Sequence, residues 1–144
     1  MSGQEHPNAD RVSEFYTTLA AATDAEAAHA MMVDAFAVDA VWHHLGECHH
    51  ARTYEGRESI IADLMASMVS DSDGTWTPVP VSVQAFGDEI VVVHMSESAD
   101  IHGERHAGSV AVTFRLVDGK IVEGVRMMDG SLDRHWAKAA PAPA

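Results

Sequence analysis

The chain has 144 residues, 47% of them hydrophobic and 22% charged, which is the profile of one globular domain with a sizeable core. Its formal net charge of −13, from 9 Lys+Arg against 22 Asp+Glu, excludes the basic footprint that nucleic-acid binding needs. No apolar run reaches membrane-spanning length, and Cys48 as the sole cysteine excludes an intrachain disulfide, so a cytoplasmic protein with no membrane partner is expected.

Residues Met1 to Asp10 are polar and lack the apolar segment of a secretory signal. Asn8 is the expected N-cap of a first helix in which Val12, Phe15, Tyr16 and Leu19 share one face. Thr23 is expected to cap a second, Ala-rich helix running to about Met32. Ala37 to His43 reads as a short strand ending at Gly46. After Gly56, a third helix places Ile60, Ile61, Leu64, Met65 and Met68 at helical spacing, and Asp71 to Gly74 breaks it. Strands follow near residues 76–86, 89–102, 105–117 and 120–128, and a short helix near 132–138. One domain over residues 1–138 and a disordered tail over 139–144 (AAPAPA) are expected. Helices placed ahead of a run of antiparallel strands define an α+β fold.

The strand from Val91 to Ile101 carries the main functional signal. One face reads Val91, Val93, Met95, Glu97, Ala99, Ile101, and the other is largely polar. Strict alternation marks a half-buried strand, so Glu97 is an acid on the buried side and needs a partner or a raised pKa. A two-residue turn at Gly103-Glu104 pairs Glu97 with Val110. The next hairpin has two solutions. A two-residue turn at Asp118-Gly119 places Arg126 on the outer face, whereas a three-residue loop, Val117-Asp118-Gly119, brings it to the inner face beside Val110. The second is preferred, because only Gly119 then needs a positive φ. It puts Glu97, Val110 and Arg126 in one row, with the long side chains of Glu97 and Arg126 meeting above Val110.

The order of elements, together with Ala40-Val41-Trp42-His43-His44-Leu45-Gly46, Thr53-Tyr54-Glu55-Gly56-Arg57-Glu58, Phe114 to Glu123, and Asp129 ahead of Trp136, resembles the NTF2-like superfamily and in particular its SnoaL-like branch. The resemblance covers roughly Asn8 to Trp136. It implies a curved sheet wrapped around helices as a cone that opens on an apolar cavity, and a homodimer formed through the outer sheet face. Members include ketosteroid isomerases, polyketide cyclases, epoxide hydrolases and non-catalytic binding proteins. The position of the isomerase base falls at His43, while its oxyanion-binding tyrosine and aspartate fall at Phe15 and Val112, which cannot donate. The resemblance therefore implies a cavity with its own polar set.

That set is His43, Glu97 and Arg126, with His43 moving a proton, Glu97 (protonated) acting as donor or partner acid, and Arg126 fixing Glu97 or polarising a carbonyl. The structural alternative is a buried ion pair in which Glu97 and Arg126 only satisfy each other. The expected substrate-binding lining is Phe15, Tyr16, Trp42, Met95, Val110, Val112, Phe114 and Met128, suited to a hydrophobic small molecule. The cluster His43, His44, Cys48, His49, His50 holds ligand types for zinc or copper. Adjacent histidines on an extended segment point to opposite faces, however, and His49 and His50 read as an exposed loop, so no metal and no cofactor are expected. The favoured function is a cyclase or isomerase acting on a polyketide-type intermediate of natural-product biosynthesis. Epoxide opening is the runner-up, and a binding or assembly module without turnover the non-enzymatic alternative.

Overall fold

The computed structural model describes residues 6–21 and 24–140. Two helices, α1 (Pro7–Ala21) and α2 (Ala25–Ala35), precede β1 (Phe36–His44) and β2 (Arg52–Glu55). A continuous helical run then comprises α3 (Arg57–Ser59), a π-helical stretch Ile60–Met65 and α4 (Ala66–Asp71). The chain ends in β3 (Thr77–Phe86), β4 (Ile90–Ile101), β5 (Glu104–Val117), β6 (Lys120–Met128) and α5 (Gly130–Ala137). The six strands form one curved, unclosed sheet in the order β2-β1-β6-β5-β4-β3, with the helices in its concavity, so the α+β class holds.

Each helix buries the face that its periodicity marks. Val12, Phe15 and Tyr16 of α1 are buried, as are Ile60, Ile61, Leu64, Met65 and Met68 of the central run. Two helix starts differ from expectation. Asn8 lies inside α1, with its side-chain amide on the carbonyl of Asp88 at 2.7 Å, and Asp24 caps α2 through the amide of Ala27. Thr23, the expected cap, lies outside the described residues, as do residues 141–144 of the tail. The strand β2 was not expected as a strand; it exists because β1 supplies an antiparallel partner, pairing Trp42 with Tyr54. The sheet also contains one parallel pair, β1 with β6, which the antiparallel expectation omitted.

The first hairpin shifts its two-residue turn by one position, and the second takes a tighter turn than expected. The β4–β5 turn is His102-Gly103, with both residues at positive φ, so Glu97 pairs with Gly108 and Met95 with Val110. The slip from the expected register is two residues, an even number, which leaves Glu97 on the inner face. The β5–β6 turn is Asp118-Gly119, again with positive φ at both residues. That turn alone would send Arg126 outward. A bulge at Val122 restores the parity, because Leu116 pairs with Ile121 but Arg115 with Glu123. Arg126 therefore faces inward opposite Val112, two pairs along the ladder from Val110, and the expected single row of Glu97, Val110 and Arg126 does not form.

The C-terminal helix is locked to the sheet by carboxylates. Asp129 caps α5 through the amide of Leu132 at 2.8 Å and also accepts from the amide of Ser109 at 2.7 Å. Asp133, on the same helix, accepts from the amides of Glu47 at 2.7 Å and Cys48 at 3.0 Å. The loop after β1 is thereby fixed in place.

Candidate functional site

Glu97 and Arg126 meet deep under the sheet. Nη1 of Arg126 donates to Oε1 of Glu97 at 2.7 Å, and Nη2 donates to Oε2 at 2.6 Å. The indole N–H of Trp136 adds a third bond to Oε2 at 3.1 Å. Glu97 is fully buried and Arg126 is 3% exposed. Burial pushes the carboxyl up, but the charge and hydrogen bonds of Arg126, aided by the Trp136 indole, outweigh it and hold Glu97 below its ordinary value. The same partner keeps Arg126 charged against its own burial. Glu97 is thus an ionised acceptor and does not fit the expected protonated donor.

One small cavity lies against this pair. Its lining includes Phe15, Tyr16, Trp42, Met95 and Val112 of the expected set, together with Arg126 and the unexpected Trp76. Leu19, Leu64, Met65 and Met68 close the helical side. Val110 and Phe114 are buried beside the cavity without lining it, and Met128 places its sulfur 3.8 Å from Nη2 of Arg126. The free space is about 10 Å³, close to the room needed by one water molecule, so the wide mouth implied by the resemblance is closed here. Methionine side chains and a π-helical stretch form the closing wall, the adaptable materials from which such a cavity can open.

Three residues of the cavity lining carry buried donors without a hydrogen-bond partner. Nε of Arg126 and Nε1 of Trp42 are buried without a hydrogen-bond partner. Nε1 of Trp76 faces the Glu97 carboxylate yet falls outside hydrogen-bond geometry and is likewise unpartnered. Buried donors are rarely left so, and several around one cavity point to an acceptor that belongs there. The Tyr16 hydroxyl is raised above its ordinary value, chiefly by burial, and stays protonated. Sequence reasoning missed the roles of Trp76 and Trp136, although a tryptophan read as core always carries an N–H that must be accounted for.

His43 is not in the cavity. On β1 the inner face is carried by Ala40, Trp42 and His44, all buried, and His43 points to the outer side. There Nδ1 bonds the Thr53 hydroxyl at 3.0 Å and Nε2 the Glu123 carboxylate at 2.9 Å, in an open groove with Asp39, Val41 and Arg115. The correction has a packing cause. Trp42 lies flat on Gly124, where a Cβ would sit 2.5 Å from two ring carbons, and this contact decides which face of β1 turns inward. His44 replaces His43 as the inward imidazole, beside Arg126 in the parallel ladder. Burial, then the charge of Arg126, pushes its pKa down to about 2, so it is a neutral ring with both nitrogens unpartnered. The Cys48 thiol is buried and pushed up to about 11, again chiefly by burial. His50, expected in an exposed loop, is 2% exposed.

The match to known proteins agrees with this architecture. The model of the SnoaL-like domain matches residues 12–124. Among solved structures, Bal32a from a soil-derived mobile gene cassette superposes with a TM-score of 0.80 at 22% identity, over 90% of this chain and 96% of that one. TerC co-crystallised with polyporic acid gives 0.73 at 18% identity, over 93% and 99%. A protein of Jannaschia sp. CCS1 assigned as a SnoaL-like polyketide cyclase gives 0.71 at 17% identity, over 99% and 98%. Further neighbours are NTF2-like proteins from Burkholderia thailandensis and Anabaena variabilis. A comparison with curated proteins finds no match. The fold implied by the sequence is therefore present, and the chain belongs to the SnoaL-like family.

Proposed function

We propose that this protein acts on a hydrophobic small molecule carrying a carbonyl or enolate oxygen, as a cyclase or isomerase of polyketide-type intermediates. The observation that carries this reading is the set of unpartnered donors, Arg126 Nε, Trp42 Nε1 and Trp76 Nε1, around one apolar cavity. An oxygen seated among them would complete their hydrogen bonds, and a ring closure that builds negative charge on that oxygen would be favoured further. The aromatic and methionine walls would fold the substrate and supply proximity. Glu97 holds the guanidinium in place and does not react. Among the described residues the cavity lining holds no histidine and no free carboxylate, so polarisation and shape carry the acceleration. Epoxide opening fits less well, because it needs a carboxylate free to activate water, and both oxygens of Glu97 are engaged.

The test compares a naphthoquinone with naphthalene by calorimetry. The quinone is expected to bind at least 10-fold more tightly, and Trp76→Phe to remove roughly 5–10-fold of its affinity while leaving naphthalene unchanged. Equal binding of the two compounds refutes the reading. A linear polyketone that cyclises no faster with the protein than in buffer would favour a binding module instead, the reading in which the same donors hold a ligand without turnover.

Homodimerisation belongs to the same proposal. The outer sheet face presents Ala107, Ser109, Ala111 and Thr113, with Val79 at 51% and Met127 at 55% exposure beside them, a flat apolar patch suited to an isologous contact. Sedimentation is expected to show a dimer at micromolar concentration and a monomer for Ala111→Glu. A monomeric parent chain would end this part of the proposal.

A further inference from the structure

The loop fixed by Asp133 carries His49 and His50 to the end of α4, where Asp71 stands. Nε2 of His49 and Nε2 of His50 each lie 2.8 Å from one oxygen, Oδ2 of Asp71, and the three ligand atoms fall within 4.8 Å of one another. His49 makes a hydrogen bond to that oxygen. The Nε2 of His50 is buried in an ion-pair contact with the same oxygen but lies outside hydrogen-bond geometry. A buried imidazole nitrogen left without a hydrogen bond, beside two further ligand atoms, has coordination capacity to spare.

We infer that His49, His50 and Asp71 form a binding site for one divalent transition-metal ion of zinc type. Two imidazoles and a carboxylate are the donors such an ion takes in sites that keep a fourth position open. Zinc bonds of about 2.0–2.2 Å would require the ligand atoms to part by roughly half an ångström. His49 and Asp71 can yield by that amount, because their side chains are 25% and 21% exposed. His50 is the fixed ligand, 2% exposed, with its carbonyl accepting from the Tyr54 hydroxyl at 2.7 Å and its ring 5.7 Å from that of Trp136. The open position faces the surface, on the side of the partly exposed His49 and Asp71. The extended-strand argument against a metal fails here because residues 49 and 50 sit in a turn, where neighbouring side chains can converge.

The site is separate from the donor-lined cavity. Trp136 stands between them, its ring against His50 and its N–H on Glu97. The inference does not depend on the proposed substrate.

Untagged protein stripped with a chelator is titrated with Zn²⁺ by calorimetry and with Co²⁺ by visible absorption. One equivalent per chain is expected, with a rise in melting temperature on adding Zn²⁺ and a Co²⁺ band of tetrahedral intensity. The double variant His49→Ala/Asp71→Asn changes only partly exposed side chains and is expected to lose at least 10-fold in affinity and the thermal shift. His102→Ala, which alters a histidine elsewhere on the surface, should bind as the parent does. Failure of the parent to bind either ion overturns the inference, as does a folded double variant that binds both ions with parental affinity.

Discussion

Glu97→Ala is expected to destabilise the protein by about 3–5 kcal/mol, lowering the melting temperature by roughly 10 °C or more. The change leaves the guanidinium of Arg126 buried with no counter-charge, and it also strips the Trp136 indole of its acceptor. The cost lies in the orphaned partner rather than in the lost attraction itself, so the double variant Glu97→Met/Arg126→Met should recover most of the stability. Denaturant unfolding of the single and double variants measures both quantities. A single variant as stable as the parent would mean that the pair is hydrated and that its burial contributes nothing.

The same pair sets part of the acid limit. Burial acts to raise the Glu97 pKa, but the Arg126 interaction prevails and depresses it, and Asp129 is pushed down to about 2, first by the amide of Ser109 and then by that of Leu132. Groups whose folded pKa is depressed stabilise the fold fully above their unfolded values, near pH 4, and lose that contribution as pH falls through the folded ones. Stability should therefore be flat above about pH 5 and fall between roughly pH 4 and 2. Glu97→Met/Arg126→Met should flatten part of that slope, leaving the Asp129 share.

Gly124→Ala is the second change with a large expected effect. The added Cβ would meet Cε3 and Cζ3 of Trp42 at 2.5 Å, closer than any real contact of that kind. The indole has nowhere to retreat, being held edge-on between Phe36 at 6.1 Å and Phe114 at 5.8 Å. Overpacking of this kind costs about 1–3 kcal/mol. Displacing the ring also moves Nε1 of Trp42 away from the cavity, so affinity for a carbonyl-bearing ligand should fall with stability. Gly130→Ala makes the control, since its added Cβ would meet only the mobile end of Arg134 at 3.2 Å. Near-ultraviolet circular dichroism and thermal melts of the two variants distinguish them; equal melts would show that the Trp42–Gly124 contact is loose.

Much of this architecture is legible in the chain itself, and the reason is parity. A strand sorts its residues into two faces by odd and even number, so the alternation from Val91 to Ile101 fixes Glu97 as an inward acid whatever the hairpin register. The observed β4–β5 register differs by two residues from the expected one and changes nothing on that face. Helical periodicity likewise marks Phe15, Tyr16, Leu64 and Met68 for the concave side, because those positions share a face by local geometry alone.

What tertiary structure alone decides is whatever depends on contacts far along the chain. Arg126 faces Glu97 because a bulge at Val122 cancels the turn at Asp118-Gly119, and nothing in the local sequence announces that bulge. His44 is inside and His43 outside because Trp42 packs on Gly124, a residue of a different strand. The three-ligand cluster exists because Asp133 holds the amides of Glu47 and Cys48 from 86 and 85 residues away, and so brings His49 and His50 to Asp71. Local patterns determine which face a side chain takes within its own element, whereas the meeting of faces is set by long-range hydrogen bonds and close packing that no short stretch of sequence contains.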